Sequence, residues 1–294
     1  IQMETMQLAT GLNWTRDMIR SESLGHHNRT QMGFYLEGSS SISEPVKLSG
    51  GLALYHFDDY GWELSSSLDL GLEITRKLNW FASVGRSYRL PTFTELHYNS
   101  PANMGNPDLD PEGVVSMETG LKWHHPGLRL SVAGFYRHGT DQIDWVRQNA
   151  DDPWKVMNIS EVDVMGSEVK LLILPDHYFS WIPLERIDLS YTYLDSDYSV
   201  VGLESKYIAA YLEHQAQLQV SHPLFYGLSC HWTFRYEDRV ETRSLFLGDL
   251  RLALGVINCQ IWLNINNLTD KNYDSVTGIP MPGRMWSVGI KTTI

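Results

Sequence analysis

Apolar and polar side chains alternate through the last nine residues of the chain, which are Trp286-Ser287-Val288-Gly289-Ile290-Lys291-Thr292-Thr293-Ile294. Successive side chains of a β-strand point to opposite faces, so Trp286, Val288 and Ile290 share one face and the small or polar residues between them share the other. The same period of two recurs along most of the 294 residues. This pattern predicts an all-β chain of antiparallel strands, without a helix longer than about two turns between residues 64 and 294.

The turn-forming residues between these segments predict fourteen strands. The strands are expected near residues 6–20, 28–42, 45–57, 64–76, 78–89, 113–124, 128–148, 155–174, 184–195, 205–221, 225–238, 244–254, 257–268 and 284–294. Tight turns alternate with longer loops along this series, as in bacterial outer-membrane barrels, whose periplasmic turns are short and whose extracellular loops are long. The link from Pro175 to Pro183 is the exception, because it is long and falls on the side of the tight turns.

Long strands with one polar face favour a transmembrane β-barrel over a soluble β-sandwich, which is the alternative fold. In the segment 205–221, for example, Leu218 and Val220 alternate with Gln217 and Gln219. The apolar face of a membrane barrel contacts lipid and its polar face lines the interior. Sandwich strands are usually about five or six residues long, which is shorter than the segments found here.

Composition and cysteine content exclude several classes of protein. The 23 basic and 35 acidic residues give a net charge of −12, which disfavours nucleic-acid binding because neutralising phosphates requires an excess of Lys and Arg. No apolar run approaches the roughly 18 residues of a membrane-spanning helix. Cys230 and Cys259 fall in apolar rows of strands separated by one other strand, so about 9.6 Å would separate them. We therefore predict two free thiols that face lipid, since a disulfide needs about 7 Å or less.

Four segments carry motifs beyond the alternation. They are Arg86-Ser87-Tyr88-Arg89-Leu90-Pro91-Thr92-Phe93-Thr94-Glu95-Leu96 with the downstream Gly105-Asn106-Pro107-Asp108-Leu109-Asp110-Pro111-Glu112 and Glu118-Thr119-Gly120; Asn158 with Gly166-Ser167-Glu168; Leu263-Asn264-Ile265-Asn266-Asn267-Leu268-Thr269-Asp270-Lys271-Asn272-Tyr273; and Pro282-Gly283-Arg284. Their order and spacing over about residues 78–294 resemble the C-terminal part of the TonB-dependent outer-membrane receptors.

This resemblance implies a barrel of about 22 strands that is filled by an N-terminal plug. Such a receptor lies in the outer membrane of a Gram-negative cell, binds a scarce nutrient outside, and is driven by the TonB complex of the inner membrane. Fourteen strands are fewer than that barrel needs. Residues 1–294 are therefore expected to be a single partial domain, the C-terminal part of the barrel, with the plug and the TonB-contacting N-terminal region absent. The implied partners are the TonB complex, a small nutrient ligand and the lipid bilayer.

The ligand class follows less directly from the resemblance. The segment from Leu90 to Tyr98, followed by Gly-Asn-Pro-Asp-Leu, is similar to cobalamin receptors, especially those of the Bacteroidetes type. Siderophore and haem receptors share much of this pattern and are the first alternative. A passive, porin-like channel is the second alternative, because a free-standing barrel of fourteen strands is physically possible.

Twelve motif residues are candidate site residues, with structural or lumen-facing roles. They are Arg86, Arg89, Pro91, Glu95, Asn106, Pro107, Pro111, Glu112, Asn266, Asn267, Gly283 and Arg284. The prolines fix φ and Asn106 can bond nearby backbone, so they can steer a long loop back into the next strand. Asn266 and Asn267 can satisfy backbone groups where a strand leaves the sheet. Arg86, Arg89 and Glu95 either pair with a plug inside the barrel or form a solvated rim.

No catalytic residues, cofactor or metal site is predicted. The sequence contains no G-x-S-x-G, H-E-x-x-H or P-loop motif, and these motifs mark the common hydrolase and nucleotide-binding sites. Two pairs of neighbouring carboxylates, Asp58-Asp59 and Asp151-Asp152, lie in expected loops. They could hold a calcium ion, although solvated loop carboxylates are the simpler interpretation.

Overall fold

The computed structural model describes residues 6–179, 181–198, 202–206, 212–240, 243–276 and 279–292. About three quarters of these residues form strands, and the strands pair antiparallel with one short exception. The strands are β1 (Gln7–Ser21), β2 (Gly25–Ser43), β3 (Val46–Phe57), β4 (Gly61–Thr75), β5 (Leu78–Arg89), β6 (Asn99–Ser100), β7 (Asn103–Met104), β8 (Glu112–His125), β9 (Leu128–Arg147), β10 (Trp154–Ile173), β11 (Arg186–Tyr198), β12 (Glu204–Ser205), β13 (Leu212–Pro223), β14 (Leu228–Arg239), β15 (Leu245–Val256), β16 (Cys259–Asn266), β17 (Asp274–Val276), β18 (Ile279–Pro280) and β19 (Met285–Thr292).

Fourteen of the described strands have eight or more residues, and each corresponds to one of the fourteen predicted segments. The others have only two or three residues and lie in the links. The helices in the described part of the chain are α1 (Phe93–His97) and a 3₁₀ turn (Pro175–His177). Both are shorter than two turns, as predicted. Neither is long and apolar enough to cross a membrane.

The chain divides into two compact units. The first contains residues 1–120, 134–165 and 195–209, and the second contains 121–133, 166–194 and 210–294. In the first unit, β1 to β5 pair consecutively as antiparallel hairpins. The start of β10 pairs parallel with β7, and β12 pairs with the end of β9. In the second unit, β11, β13, β14, β15, β16 and β19 pair in that order.

The apolar face of the first unit is exposed instead of buried. Register aligns Leu12 with Phe34 and Leu36 with Leu52, which places these side chains in one apolar row. Leu12 is 82% exposed and Leu52 is 52% exposed. A soluble sandwich buries its apolar face against a second sheet, so these strands do not form a sandwich. Their exposed apolar rows match the lipid-contacting face of a membrane barrel.

On the other face of these strands, aromatic rings cover glycines. A Cβ added to Gly33 would overlap Cε1 of the Tyr55 ring and would lie 2.5 Å from Oδ1 of Asn13. Position 33 therefore requires glycine because the Tyr55 ring packs directly against its Cα, and not because its backbone has a positive φ. By contrast, a Cβ on Gly38 would meet only Leu8 and the Gln7 carbonyl, at 3.7 and 3.8 Å.

We expect Gly33→Ala to destabilise the protein by about 1–3 kcal/mol, because the added methyl group forces the Tyr55 ring out of its position. Gly38→Ala is the matched control and should be neutral or slightly stabilising, since alanine loses less entropy than glycine in a strand. The measurement is the thermal midpoint of the detergent-solubilised protein, followed by its heat-dependent mobility on SDS gels. Equal midpoints for the two variants would contradict the packing role of Gly33.

The cysteines are free, as predicted, but the side chain of one of them is buried. Cys230 in β14 lies opposite Leu252 of β15, and Leu252 lies opposite Leu263 of β16, so one strand separates the two thiols. Cys259 is half-buried, whereas Cys230 is only 3% exposed. The prediction that both thiols face lipid is therefore wrong for Cys230. Its side chain is in the apolar row but is small, and the larger side chains around it shield the sulfur.

The long link from Pro175 to Pro183 folds onto the neighbouring tight turn. The Tyr178 hydroxyl donates to the Pro126 carbonyl at 2.7 Å and lies 2.8 Å from Nδ1 of His125. The Leu174 N–H donates to the Gly127 carbonyl at 2.8 Å. These contacts explain how a longer link is accommodated on the side of the tight turns.

Candidate functional site

Helix α1 opens the loop of residues 90–111, which contains most of the first motif. Thr92 precedes the helix, and its hydroxyl accepts from the Glu95 N–H at 3.2 Å. The Glu95 carboxylate accepts in return from the Thr92 N–H at 2.7 Å. This reciprocal capping box satisfies two backbone donors at the helix start. The T-x-x-E spacing within the motif thus begins a helical turn directly after Pro91.

Arg89 joins the two ends of this loop. Its guanidinium donates to both oxygens of Glu112, at 2.6 and 2.7 Å, and to both oxygens of Glu95, at 2.9 and 3.1 Å. Glu112 is 8% exposed, and its Oε1 also accepts from the Ile143 N–H at 2.6 Å. A bidentate guanidinium–carboxylate pair is stronger and more directional than a neutral hydrogen bond. One cation thereby holds two carboxylates from opposite ends of the loop.

These contacts change the acidity of Glu95. Burial raises the pKa of its carboxyl, but the hydrogen bonds from Arg89 and Thr92 outweigh burial and hold the pKa below its usual 4.5. A carboxylate whose pKa is depressed on folding contributes stability above its unfolded pKa and loses it as the pH falls through the folded value.

We therefore expect the 90–111 loop to stay ordered at pH 5.5 and above, and to lose order as the pH falls below about 4.5. The measurement is hydrogen exchange of the Asn106 N–H, which donates to the Glu95 carbonyl at 2.9 Å. Glu95→Gln should remove most of this pH dependence. A loop that exchanges equally slowly at pH 3 and pH 7, relative to the intrinsic rates, would contradict the prediction.

A small apolar core lies beneath the loop. Leu96 from α1 and Leu109 from the end of the loop pack with Ile143 and Val156, and Trp145 lies against this cluster. Burying each such side chain contributes roughly 1.5–3 kcal/mol. The loop is therefore attached by its own hydrophobic cluster as well as by Arg89.

Backbone bonds and Asn side chains complete the path of the loop. The Asn106 side chain accepts from the Asp108 N–H at 3.0 Å, and the Gly105 N–H donates to the Tyr98 carbonyl at 2.7 Å. Asn158 on β10 accepts from the Asp110 N–H at 2.9 Å and donates to its carbonyl at 3.0 Å. Pro107 is exposed and Pro111 is half-buried on either side of the buried Leu109.

Arg29 is part of this network and was missed by the sequence reasoning. It is 8% exposed, pairs with Asp59 at 3.0 Å, and donates to the carbonyl of the fully buried Pro91 at 3.1 Å. The rings of Tyr60 and Phe93 lie 5.1 and 5.2 Å from its guanidinium carbon. Arg29 is 62 residues from Pro91 in sequence, so no local pattern could have indicated this contact.

A second polar group, also missed, lies where β9 ends. Asp144 is 1% exposed, accepts from the Trp145 N–H at 2.7 Å, and accepts from the Ser205 hydroxyl. Arg147 donates to both oxygens of Glu204 at 2.7 and 2.9 Å. An acidic residue between the apolar Ile143 and Trp145 is the signal that could have identified a buried carboxylate here.

The third and fourth motifs meet in the second unit. Asn267 is 4% exposed and has a φ of 53°. Its side-chain amide donates to the Lys271 carbonyl at 2.8 Å, and its oxygen accepts from the Lys271 N–H at 3.0 Å. The Asp270 carboxylate accepts from the Arg284 N–H at 2.7 Å, and a Cβ on Gly283 would lie 2.7 Å from the same oxygen. Asn267 thus closes a turn of residues 267–271, and Asp270 joins that turn to the fourth motif.

Two candidate residues lie outside these clusters. Arg86 is exposed and lies opposite Ser66 of β4. It is on the same face of β5 as Val84. Asn266 is exposed and lies opposite Met285. Within the described residues, therefore, the first motif contributes Arg89, but not Arg86, to the loop network.

The candidate calcium carboxylates have protein partners in the structure. Asp58 accepts from the Thr30 N–H at 3.1 Å, and Asp152 accepts from the Asn149 N–H at 2.9 Å. The described part of the chain contains no group of three or more His, Cys, Asp or Glu side chains arranged to hold a metal ion.

The order of the strands and the positions of the motifs agree with a known family. A family model described as TonB dependent receptor-like, beta-barrel matches residues 5–268. The chain belongs to this family. The structure shows what the family motifs do in this member: they hold the 90–111 loop and the turn of residues 267–271.

Curated relatives within the family include vitamin B12 transporters. The chain is 27% identical to BtuB of Photobacterium profundum over 285 residues, which cover 91% of this chain and 44% of that protein. It is 28% identical to BtuB of Vibrio vulnificus over 113 residues, which cover 38% of this chain and 18% of that protein. The chain therefore spans less than half the length of these relatives.

Solved structures with the same fold include a siderophore receptor and an iron transporter. The siderophore receptor PirA from Pseudomonas aeruginosa superposes with a TM-score of 0.76 at 19% identity, covering 98% of this chain and 51% of that one. The FrpB iron transporter from Neisseria meningitidis gives a TM-score of 0.74 at 13% identity, covering 99% and 53%. At these identities the likeness concerns the fold alone.

Proposed function

We propose that the protein acts in the outer membrane as a receptor for the energised, TonB-linked uptake of a scarce nutrient, with cobalamin as its ligand. The observation that carries this proposal is the family match together with 27% identity to a vitamin B12 transporter across 91% of the chain. The resemblance of the first motif to cobalamin receptors of the Bacteroidetes type supports the same ligand and stays a prediction.

The geometry supports a membrane receptor in two respects. Exposed apolar rows on the strands suit a lipid environment. The 90–111 loop is held by an ion cluster and an apolar core, so it is ordered without a ligand. A preordered loop lowers the entropy cost of binding.

Siderophore or haem uptake is the alternative, because receptors for these ligands share much of the pattern of the first motif. A passive channel and a catalytic role are less well supported, because the named relatives are transporters and receptors. For this protein, TonB and the nutrient are proposed partners.

The test is uptake of labelled cobalamin by a Gram-negative strain that lacks its own cobalamin receptor and expresses the complete gene. We expect saturable uptake that is abolished by an uncoupler and in a strain lacking TonB. Labelled ferric siderophore and haem serve as competing substrates in parallel cultures.

Uptake of the iron chelates but not of cobalamin would overturn the ligand and favour the alternative. Non-saturable uptake that persists with the uncoupler would overturn the energised mechanism and favour a channel. A strain carrying the empty vector corrects for leakage.

A further inference from the structure

Two histidine rings stack where α1 meets β2. His97, in the last turn of α1, lies face to face with His27 of β2, with 3.6 Å between the ring centroids and 8° between the ring planes. Both side chains are half-buried. Phe93 extends the contact at the other end of the helix, with its ring centroid 6.2 Å from that of His27. These rings dock α1 on the strand that follows the β1–β2 turn.

The hydrogen bonding of His27 fixes which of its nitrogens can take up a further proton. Its Nε2 lies 2.7 Å from the Leu24 carbonyl oxygen. A carbonyl only accepts hydrogen bonds, so Nε2 carries the proton of the neutral ring. A second proton would therefore go to Nδ1 and would make His27 a cation without breaking this bond.

A third cationic group lies beside the stack. Arg29 is two residues beyond His27 and on the same face of β2. Burial lowers the pKa of His97 below its usual 6.5, and the charges of His27 and Arg29 lower it further. Asp59, from the loop after β3, pairs with Arg29 at 3.0 Å and offsets part of its charge.

Two other titratable groups of this region do not supply a balancing charge. Tyr60, whose ring lies 5.1 Å from the Arg29 guanidinium carbon, stays neutral because burial raises the pKa of its phenol above its usual 10. Glu95, the carboxylate of α1, accepts from Arg89 and Thr92 and belongs to the ion cluster of the loop.

The lowered pKa of His97 sets the direction of the pH dependence. A histidine with a lower pKa in the folded protein binds its proton more weakly there than in the unfolded chain. Its contact is therefore fully formed above about pH 6.5 and weakens as the pH falls below this value. Two imidazolium rings with centroids 3.6 Å apart would also repel each other.

We propose that His27 and His97 form a pH-sensitive contact, which holds the last turn of α1 on β2 when both rings are neutral and releases it when they become protonated. The rest of the 90–111 loop stays in place during this release, because Arg89 and the apolar cluster that contains Leu109 hold it independently of the two histidines. The inference does not depend on which nutrient the receptor carries.

The first test is the titration of His97 in the protein expressed from its complete gene, purified in a mild detergent with isotopically labelled histidine. His27→Phe keeps a ring in the stack and removes its charge. We expect the pKa of His97 to rise in this variant, because the like charge is gone. His26→Phe is the matched control. His26 is exposed on the other face of β2, so its replacement should leave the pKa of His97 unchanged.

The second test is hydrogen exchange of the Tyr98 N–H, which donates to the Thr94 carbonyl at 3.0 Å in the last turn of α1. Coupled titrating groups interact by about one pH unit or more, which is about tenfold in an equilibrium constant. Relative to intrinsic rates, exchange should therefore be about tenfold faster at pH 5.5 than at pH 7.5. His97→Phe should keep exchange slow at both pH values, since phenylalanine can stack on His27 but cannot be protonated.

A His97 pKa that is the same with and without His27 would overturn the proposal. So would a Tyr98 exchange rate that does not respond to pH, or a response that persists in His97→Phe. Faster exchange of the Asn106 N–H between pH 7.5 and 5.5 would also overturn it, because the whole loop would then open and not its helix alone. Heat-dependent mobility on SDS gels checks that the variants fold. Failed cobalamin uptake with the expected response at Tyr98 would overturn only the nutrient assignment.

Discussion

Replacing Arg89 with alanine is expected to release the 90–111 loop from the strands that hold it. Glu112 would stay buried with only the Ile143 N–H as partner, and Glu95 would keep only its capping bonds. Removing one partner of a buried ion pair costs about 3–5 kcal/mol. Because the Arg89 side chain is 42% exposed, solvent screens part of this loss, and we expect about 2 kcal/mol.

The measurement is hydrogen exchange at the N–H groups of Leu96, Gly105 and Asn106, which are hydrogen-bonded within the loop. A loss of about 2 kcal/mol corresponds to roughly 30-fold faster exchange at these positions. In the proposed receptor the same change should weaken ligand uptake, since a mobile loop must be ordered on binding.

Arg86→Ala is the matched control for Arg89. It removes the same side chain from an exposed position three residues earlier in the same strand. Exchange in the loop should then stay within about twofold of the native protein. Equal effects of the two substitutions would show that the loop responds to net charge and not to the paired carboxylates.

Replacing Asn267 with alanine is expected to open the turn that joins the third and fourth motifs. The change removes the two side-chain bonds to Lys271 and places alanine at a φ of 53°. The left-handed conformation costs alanine roughly 1–2 kcal/mol, and each lost bond adds about 1 kcal/mol. The total is about 3 kcal/mol.

The reporters are the N–H groups of Leu268 and Arg284, whose bonds to Gly248 and Asp270 do not involve the Asn267 side chain. Both should exchange about 100-fold faster. Asn267→Asp keeps the acceptor for the Lys271 N–H and should have an intermediate effect.

Asn266→Ala is the control for this second prediction. Asn266 is exposed at the end of β16, and exposed substitutions of this kind usually change stability by less than about 0.5 kcal/mol. If both asparagine variants left the reporters unchanged, the turn would be held by its strands and not by Asn267.

Local alternation predicted most of the fold. All fourteen long strands were located from it, because a side-chain period of two is visible within a single strand. The short strands and the 3₁₀ turn were not predicted, since two or three residues are too few to display a period. The shielding of Cys230 was missed because it depends on neighbours in other strands.

The motifs predicted which loops matter but not their contacts. The spacing of Thr92 and Glu95 is a local capping pattern, and a sequence can show it. The pairing of Arg29 with Asp59 and Pro91 joins residues that are far apart in the chain. Such contacts depend on which strands are neighbours, and one sequence does not contain that information.

The sequence by itself determined the all-β class, the strands, the exposed apolar face and the family motifs, because each depends on residues within one segment. Only the tertiary structure decided that Arg89, but not Arg86, holds the 90–111 loop, and that Asn267, but not Asn266, holds the later turn. In each pair the residue types are identical. Their roles differ because register and burial bring partners within hydrogen-bonding distance of one and leave the other exposed.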